Sequence, residues 1–500
     1  MIRKLRCAVL AIALALPIAA VNGTVVSATP RATSSTVASW TPWHLTSPDQ
    51  FRLPAPPPAN SPQTRTELKE LRQLQKQRTK KTNRIVKKWN DGAAVIPWTN
   101  VVLQEIRDFR PRPPVAGRVL AVFHTGLYDA MIAAADSRQA FASDTRPSPA
   151  AMDGRIDPLT GSKRGSTYAP VQAAMAGAAE KLLPYLFPAQ DPVYFQELAT
   201  QSVESRLWAG ANYRSDVESA RSLGQSVAQA VIDHVSKDGF PGSGFSNPRP
   251  EGDQYWQTTP PGYEQPTGGA VGKWRPWLMS TADQLRSTIP GPFAYGSPEF
   301  MTELHEVVDV QASLTDEQRS IAHFWDDGPG TYTPAGHWFS IAIELVKNFG
   351  LNSNETTKAF ALLGATEADA SIAFFEAKYH WWSVRPVTAV WRLCDGGDQL
   401  CTDEELEADP SRATYRNVWS PLIITPPFPS YPGGHSTFSG SAGKLLSYFF
   451  PAAGETLNQL AEEAAMSRLY GGIHYRSDND AGLTLGRALA DLAIARAEQD

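Results

Sequence analysis

Cysteine, unbalanced charge and long apolar segments are all scarce in this sequence of 500 residues. Of its three cysteines, only Cys394 and Cys401 lie outside the N-terminal segment. No second cysteine pair and no nearby histidine completes four ligands around them, which disfavours a metal site. A net charge of −5 gives no reason to expect nucleic acid or an anionic membrane as a partner. Any anion site must therefore be a local concentration of cationic side chains.

The one long apolar run lies at the N-terminus. Three basic residues precede 15 apolar residues, 7–21, and small residues follow as far as Ala28. The run is shorter than the roughly 20 residues that a membrane-spanning helix needs. Residues 1–28 are therefore predicted to be a signal peptide cleaved near Ala28, which predicts a secreted or extracytoplasmic protein without a stable membrane span. In that oxidising compartment, Cys394 and Cys401 are predicted to form a local disulfide.

Helical periodicity dominates the remaining sequence, and strand-like alternation is scarce. Residues 29–65 are rich in Pro, Ser and Thr and are predicted to be a linker or an arm on the surface. Residues 66–240 and 301–500 are predicted to form two all-α helical bundles, and the halves show no repeat strong enough to infer a duplication. The connection between them, 241–300, is rich in Pro, Gly and Trp, and long loops of this kind often cover a site.

Two polar residues in the first bundle, His124 and Asp129, are predicted to be packed side chains rather than catalytic groups, because both lie inside an apolar helical pattern.

Basic and histidine residues concentrate in three segments near the C-terminus. In the first, Lys378 and Arg385 are seven residues apart and would share one face of a helix that Pro386 ends. Taken alone, such a pair is more often a solvated helix face. Its significance comes from the other two segments.

The central segment, PSYPGGHS, places His435 near the start of a predicted helix, whose free amides and dipole favour an anion. Gly434 can bring its amide close to a ligand because it has no side chain. In the third segment, Asp478 follows His474 by four residues, so its carboxylate could hold one imidazole nitrogen while the other faces the anion. With Arg468, these residues predict a site for a tetrahedral oxyanion.

The three segments together resemble the signature of the type 2 phosphatidic acid phosphatase and vanadium haloperoxidase superfamily: Lys, six residues, Arg-Pro; then Pro-Ser…Gly-His; then Ser-Arg, five residues, His, three residues, Asp. The resemblance is detailed over about residues 315–490 and weak in the earlier half. The long central segment, which begins at Phe428, is more similar to that of secreted bacterial vanadium haloperoxidases than to that of the short phosphatases. The family implies an all-α fold of two four-helix bundles, one vanadate per chain, and neither haem nor nucleotide.

The resemblance also implies a role for each matching residue. His474 would be the axial ligand to vanadium, positioned by Asp478, and His435 would be the acid–base group for peroxide. The residues that would bind the vanadate oxygens are Lys378, Arg385, Arg468 and the amide of Gly434.

Four further positions are compared with the family. Asp327 resembles the acidic residue that fungal chloroperoxidases pair with the last arginine, and Phe428 matches an aromatic residue near the halide. Two positions depart from the family pattern. Gly433 stands where the usual motif has a serine that donates to vanadate, and Phe375 stands where the chloroperoxidases carry a tryptophan, which leaves the halide preference open.

Three functions are compatible with these residues. The leading prediction is a vanadium-dependent haloperoxidase that uses hydrogen peroxide, a halide and a small organic acceptor. The alternative is an acid phosphatase in which His474 attacks the phosphorus of a phosphate monoester and His435 protonates the leaving group. A third is a secreted relative that binds an oxyanion without turnover.

Overall fold

The computed structural model describes residues 36–143, 146–161, 163, 165–242, 247–395 and 419–500. Over these residues the protein contains sixteen α-helices and, apart from two isolated bridges, no β-structure. The predicted all-α fold is confirmed. The predicted signal peptide and Cys401, one half of the predicted disulfide, lie outside the described residues.

The α-helices fall into two sets of eight along the described chain. The first set is α1 (Pro62–Lys76), α2 (Lys80–Asn90), α3 (Val95–Phe109), α4 (Pro113–Ala140), α5 (Pro149–Met152), α6 (Val171–Leu186), α7 (Pro192–Trp208) and α8 (Arg214–Val235). The second set is α9 (Pro298–Ala312), α10 (Asp316–Phe324), α11 (Thr333–Phe349), α12 (Ser353–Trp381), α13 (Pro386–Asp395), α14 (Gly434–Phe449), α15 (Gly454–Tyr470) and α16 (Arg476–Gln499). Short 3₁₀ helices lie at Val37–Ser39, Val271–Lys273, Arg286–Thr288 and Pro451–Ala453.

The two sets begin at matching sequence signals. The hydroxyls of Ser61 and Ser297 cap α1 and α9, and each is followed by a proline at the first helical position. Capping boxes at Thr79 and Thr315 begin α2 and α10 in the same way. Equivalent helices therefore start from equivalent local chemistry in the two sets.

One predicted helix, residues 354–385, ends earlier than expected. Trp382 caps α12 with a left-handed backbone, φ 54°, and Pro386 begins α13 instead of ending α12. Proline is tolerated at a first helical position because the N–H that it lacks would have no partner there. Lys378 and Arg385 therefore do not share a helix face, and that prediction was wrong.

The central helices α4 and α12 each carry a fully buried aspartate that holds a preceding loop. Asp129 accepts the backbone N–H groups of Trp43 and His44 at 2.8 Å. Asp369 does the same for three successive amides, at 2.7–2.9 Å, from Trp277, Leu278 and Met279. The loops that donate these hydrogen bonds have similar sequences: WTPWHLTSPDQFR at 40–52 and WRPWLMSTADQLR at 274–286.

The correspondence continues to the end of the chain. Residues 205–216, SRLWAGANYRSD, and 467–478, SRLYGGIHYRSD, are identical at eight of twelve positions. Equivalent helices also make equivalent contacts. In the first set α4 contacts α6 and α6 contacts α8, and in the second set α12 contacts α14 and α14 contacts α16. We call residues 40–235 the N-terminal repeat and 274–499 the C-terminal repeat. The interpretation that the two halves show no repeat strong enough to infer a duplication was therefore wrong.

The core is continuous between the repeats, which meet along α4 and α12. Trp40, Leu45 and Leu53 are buried in it, so the described part of the predicted linker or surface arm is anchored. His124 is also packed inside, between Thr99 and the carbonyl of Leu120. Among the described helices, α4 alone is long and apolar enough to span a membrane, and 94% of its apolar window is buried within the protein.

The duplicated aspartates give a matched stability test. Replacement of either Asp129 or Asp369 with alanine should lower the free energy of unfolding by about 3 kcal/mol. Two or three backbone amides lose their acceptor in each variant, and each loss costs about 1–3 kcal/mol. Urea unfolding of both variants measures the loss. Asp233→Ala, an exposed change on α8, is the control and should change stability by less than about 0.5 kcal/mol. Stability unchanged by both buried substitutions would contradict the anchoring role.

Candidate oxyanion site

The three predicted segments meet at the start of α14. Gly433 is its N-cap, Gly434 its first residue, and His435 lies in its first turn. The amide of Gly433 donates to the carbonyl of Asp478 at 2.7 Å. The amide of Gly434 makes no hydrogen bond to any described residue, as expected for an N–H group in the first turn of a helix. That amide is free to bind an anion at the positive end of the helix dipole.

Lys378 is fully buried beneath the loop that leads into α14. Its Nζ donates to the carbonyls of Pro429, Ser430 and Pro432 at 2.9, 2.6 and 2.6 Å. An ammonium has three donors, so all are committed to the loop. Burial, and then the charge of Arg385, hold the pKa of Lys378 well below its ordinary value. Lys378 therefore shapes the site and contributes charge, but no free donor.

Two buried arginines do keep free donors. Arg385 donates to the carbonyls of Phe428 and Ile473 and to His474 Nε2 at 3.1 Å, while its Nη2 has no partner among the described residues. Arg468 donates from Nη1 to the carbonyl of Trp325 at 2.9 Å, and its Nε has no partner there. Burial lowers their pKa values to about 9 and about 10, so both remain cations at neutral pH.

His474 is held by Asp478, as the four-residue spacing predicted. Its Nδ1 lies 2.8 Å from Asp478 Oδ2, which also accepts from the Ser430 hydroxyl at 2.5 Å. Burial, followed by the charge of Arg385, holds the pKa of His474 well below its usual value, so the ring is neutral. A neutral ring that donates from Nδ1 to the carboxylate leaves its lone pair at Nε2. In this structure that lone pair accepts a hydrogen bond from Arg385 Nη1 at 3.1 Å, so it would serve as a ligand or nucleophile once a bound anion takes over that donor.

His435 is the third group with an unused polar atom. Its Nε2 is buried and has no hydrogen-bond partner among the described residues. Burial and the charge of Arg468 keep the pKa of His435 well below its ordinary value. With Arg385 Nη2 and Arg468 Nε, it completes a set of buried polar atoms that would each cost free energy unless a ligand bonded them. The set fits an anion such as vanadate or phosphate.

Asp327 does not form the predicted pair with Arg468. Both of its oxygens lie 3.1 Å from Nδ1 of His337, and no ion pair within 4 Å joins it to Arg468 in the described part of the chain. The backbone of Asp327 is left-handed, φ 48°, and the following turn brings the start of α11, with His337, against the carboxylate. The negative charges of Asp326 and Asp327 still oppose the lowering of the pKa of Arg468 by burial.

The two phenylalanines predicted near the halide lie against each other. The rings of Phe375 and Phe428 are edge to face, with centroids 5.2 Å apart. Phe428 also lies 5.3 Å from Lys378 Nζ and 5.1 Å from the guanidinium of Arg385. The aromatic connection covers this pair: a side chain at Gly268 would lie 2.2 Å from the Phe375 ring. Their role toward a halide stays a prediction.

Comparison with known proteins identifies similar folds. Residues 358–453 and 452–500 match the family model of the VCPO second helical-bundle domain. A crystal structure of a bacterial vanadium-dependent iodoperoxidase has a TM-score of 0.60 at 24% identity, covering 80% of this chain and 94% of that chain. The chain has a fold similar to that of the vanadium haloperoxidases.

Bacterial vanadium-dependent chloroperoxidases show the same fold. The apo-type structure has a TM-score of 0.54 at 15% identity and covers 77% of this chain and 92% of that chain. The holo-type structure has a TM-score of 0.52 at 16% identity, with 79% and 97% covered. No curated protein sequence matches the chain. At these identities the structures establish the haloperoxidase fold rather than an activity.

Two serines of this site had no predicted role. Ser430 bonds the carboxylate that holds His474. Ser383, which follows the end of α12, accepts the amide of Tyr431 at 2.7 Å and so fixes the loop before α14. Ser430 could have been found from its place beside proline in the central motif, whereas Ser383 acts only through tertiary contact.

The N-terminal repeat of the haloperoxidase-like chain carries the same positions without the histidines. Residues 168–189, YAPVQAAMAGAAEKLLPYLFPA, align with 431–452, YPGGHSTFSGSAGKLLSYFFPA, which places Gln172 opposite His435. The SRL…YRSD segments likewise place Asn212 opposite His474 and Asp216 opposite Asp478. Asn212 accepts from the buried Arg206 at 2.8 Å. An amide offers neither a nucleophilic ring nitrogen nor titration near neutral pH, so one catalytic site per chain is expected.

Asp478→Asn should lower the turnover of the oxyanion site by about 10–100-fold, the usual effect of losing a group that orients a ligating histidine. The amide keeps the shape of the side chain but removes the charge that fixes the His474 tautomer. Steady-state kinetics of the vanadate-loaded protein measures the effect. Asp480→Asn, an exposed change two residues further on, is the matched control. Equal activity of the two variants would contradict the role of Asp478.

Proposed function

We propose that this protein is a secreted vanadium-dependent haloperoxidase that oxidises a halide with hydrogen peroxide and acts on a small organic acceptor. The observation that carries the proposal is a set of three unpaired buried atoms, Arg385 Nη2, Arg468 Nε and His435 Nε2, on residues whose charges all act on His474. Charge-assisted hydrogen bonds contribute about 1.5–3 kcal/mol each, so such a set supports tight oxyanion binding. Bound vanadate would supply the centre at which peroxide is activated toward the halide.

Each residue of the chain has a definite task in this proposal. Arg385 and Arg468 would bind oxyanion oxygens and balance their charge, and the Gly434 amide would add a main-chain donor. Asp478 keeps the lone pair of His474 on Nε2, where vanadium would be ligated. His435 is neutral in the described structure, so its free Nε2 can accept a proton from peroxide as a general base.

A phosphatase is the second candidate, and the His474–Asp478 contact supports it. A neutral imidazole with its lone pair at Nε2 is also the nucleophile that forms a phosphohistidine: the N–P bond would form as the P–O bond to the leaving group breaks. Arg385 and Arg468 would serve phosphate as they serve vanadate, because both anions present a tetrahedral set of oxygens.

The deciding experiment titrates purified protein with orthovanadate and measures monochlorodimedone halogenation with hydrogen peroxide, using chloride, bromide and iodide in turn. The vanadate-free sample is assayed with p-nitrophenyl phosphate. Halogenation that requires vanadate supports the haloperoxidase. Phosphate release that vanadate inhibits, without halogenation, identifies a phosphatase instead. Vanadate binding without either activity would identify an oxyanion-binding relative.

Secretion is tested separately. The N-terminal sequence of the protein recovered from outside the cytoplasm should begin close to residue 29. An intact Met1 would contradict cleavage near Ala28.

A further inference from the structure

A second cavity adjoins the oxyanion site at Asp478. Its volume is about 200 Å³, and its lining includes Phe300, Glu303, Tyr475 and Asp478. None of the cations or histidines of the oxyanion site lines it. The cavity extends to Phe293, whose side chain is 46% exposed, so small molecules can reach it.

Two of the polar side chains that line this cavity, Glu303 and Asp478, are acidic. Glu303 accepts the amide of Ser477 at 3.2 Å and forms no ion pair among the described residues. The hydroxyl of Tyr475 is buried and has no hydrogen-bond partner among the described residues. Burial, and then the charge of Asp478, raise the pKa of Glu303 to about 8. Among the described residues, no lysine or arginine lines the cavity. The surroundings are therefore those of a site for positive charge.

In the N-terminal repeat, the equivalent residues surround a positively charged side chain. Phe300, Glu303, Tyr475, Ser477 and Asp478 have as counterparts Thr64, Glu67, Tyr213, Ser215 and Asp216. The guanidinium of the fully buried Arg146 contacts all five of these counterparts. It lies 2.7 Å from Thr64 and from Glu67, 2.6 Å from Ser215, 3.1 Å from Asp216, and 3.6 Å above the ring of Tyr213.

The C-terminal repeat cannot fill its cavity in this way. The counterpart of Arg146 is Arg385, which likewise precedes a proline, but it is directed to Phe428, Ile473 and His474. The neighbouring Arg392 is ion-paired with Asp253 and does not line the cavity. With Arg385 at the oxyanion site, no described cation contacts Glu303 or the ring of Tyr475 as Arg146 contacts their counterparts, whereas the charges of Lys378 and Arg385 still act on Asp478.

We propose that this cavity binds a small organic cation, a guanidinium or a primary ammonium, between Glu303, Asp478 and the ring of Tyr475. A guanidinium fork matches carboxylate oxygens, and its face can stack on the tyrosine. A cavity of about 200 Å³ has room for such a group. The bound cation would place positive charge beside the carboxylate that orients His474. The proposal is independent of which reaction the oxyanion site catalyses.

Methylguanidine is the probe, and methylurea, which has a similar shape but no charge, is its control. Thermal unfolding of the full-length protein at low millimolar methylguanidine should show a saturable rise in Tm that methylurea and sodium chloride do not produce. Calorimetric titration should give a Kd that rises at least about tenfold in Glu303→Gln, because a charge-assisted bond is lost. Glu299→Gln, an exposed change on the same helix α9, should leave the Kd unchanged.

Two results would overturn the proposal: methylguanidine that behaves like methylurea, or an affinity that Glu303→Gln leaves intact. If Glu303→Gln does not fold, a crystal structure of the unaltered protein with methylguanidine decides the matter. Density for the ion between Glu303 and Tyr475 supports the proposal, and density at other positions only would contradict it.

Discussion

His474→Asn is expected to lower the activity of the oxyanion site by at least about a hundredfold and to weaken vanadate binding. Loss of a group that merely orients a ligand costs about 10–100-fold, so loss of the ligand or nucleophile should cost no less. Asparagine is the sharpest choice because the N-terminal repeat already carries Asn212 at this position, bonded to Arg206. The variant is therefore expected to fold, and a loss of activity can be assigned to the missing imidazole.

The control for this prediction is His305→Ala, an exposed histidine on α9, which should retain full activity. Vanadate affinity is measured by calorimetry, and turnover by the halogenation and phosphatase assays. His435→Gln follows the same logic, because Gln172 is its counterpart, and should reduce turnover more than vanadate affinity. Unchanged vanadate affinity in His474→Asn would refute ligation by His474 and direct attention to the arginines.

Much of the site could be predicted because its chemistry is local in sequence. The position of His435 follows from a glycine turn before a helix, and the His474–Asp478 contact follows from a spacing of four residues. Such relations depend on backbone geometry within one or two turns. The all-α fold was predictable for a similar reason, since helical periodicity is visible in short windows of sequence.

The errors concern relations that tertiary contacts decide. Lys378 and Arg385 were placed on one helix, but α12 ends at Trp381 and the two side chains meet the same loop from different directions. Asp327 was paired with Arg468, whereas the start of α11 offers it His337. Neither outcome is encoded in the spacing of the residues themselves.

The duplication was missed for a different reason. The connection between α13 and α14 is longer than that between α5 and α6, so no single shift of the sequence aligns both repeats throughout. The repeat is nevertheless visible in the amino-acid sequence, as the SRL…YRSD segments show. The matching hydrogen bonds of Asp129 and Asp369 made it evident, because they identify equivalent positions without requiring a constant spacing.

Lys378→Met is expected to lower the free energy of unfolding by about 3 kcal/mol, because the loss of the partner of a buried polar group costs about 1–3 kcal/mol. Methionine has similar length but no donors, so three buried carbonyls would lose their partner. Urea unfolding of the vanadate-free protein measures the change. Lys444→Met, at a half-buried lysine ion-paired with Asp491, is the control and should cost less than about 1 kcal/mol.

The N-terminal repeat separates this structural role from catalysis. Arg138, the counterpart of Lys378, donates to the carbonyls of Tyr168 and Ala169 at 2.9 and 2.8 Å, in the loop that leads into α6. A cation thus holds the equivalent loop where neither histidine exists, so the contact cannot depend on catalysis. Lys378→Arg should accordingly recover more stability than Lys378→Met. Equal stability of Lys378→Met and Lys444→Met would contradict this role and leave Lys378 with only its charge to contribute.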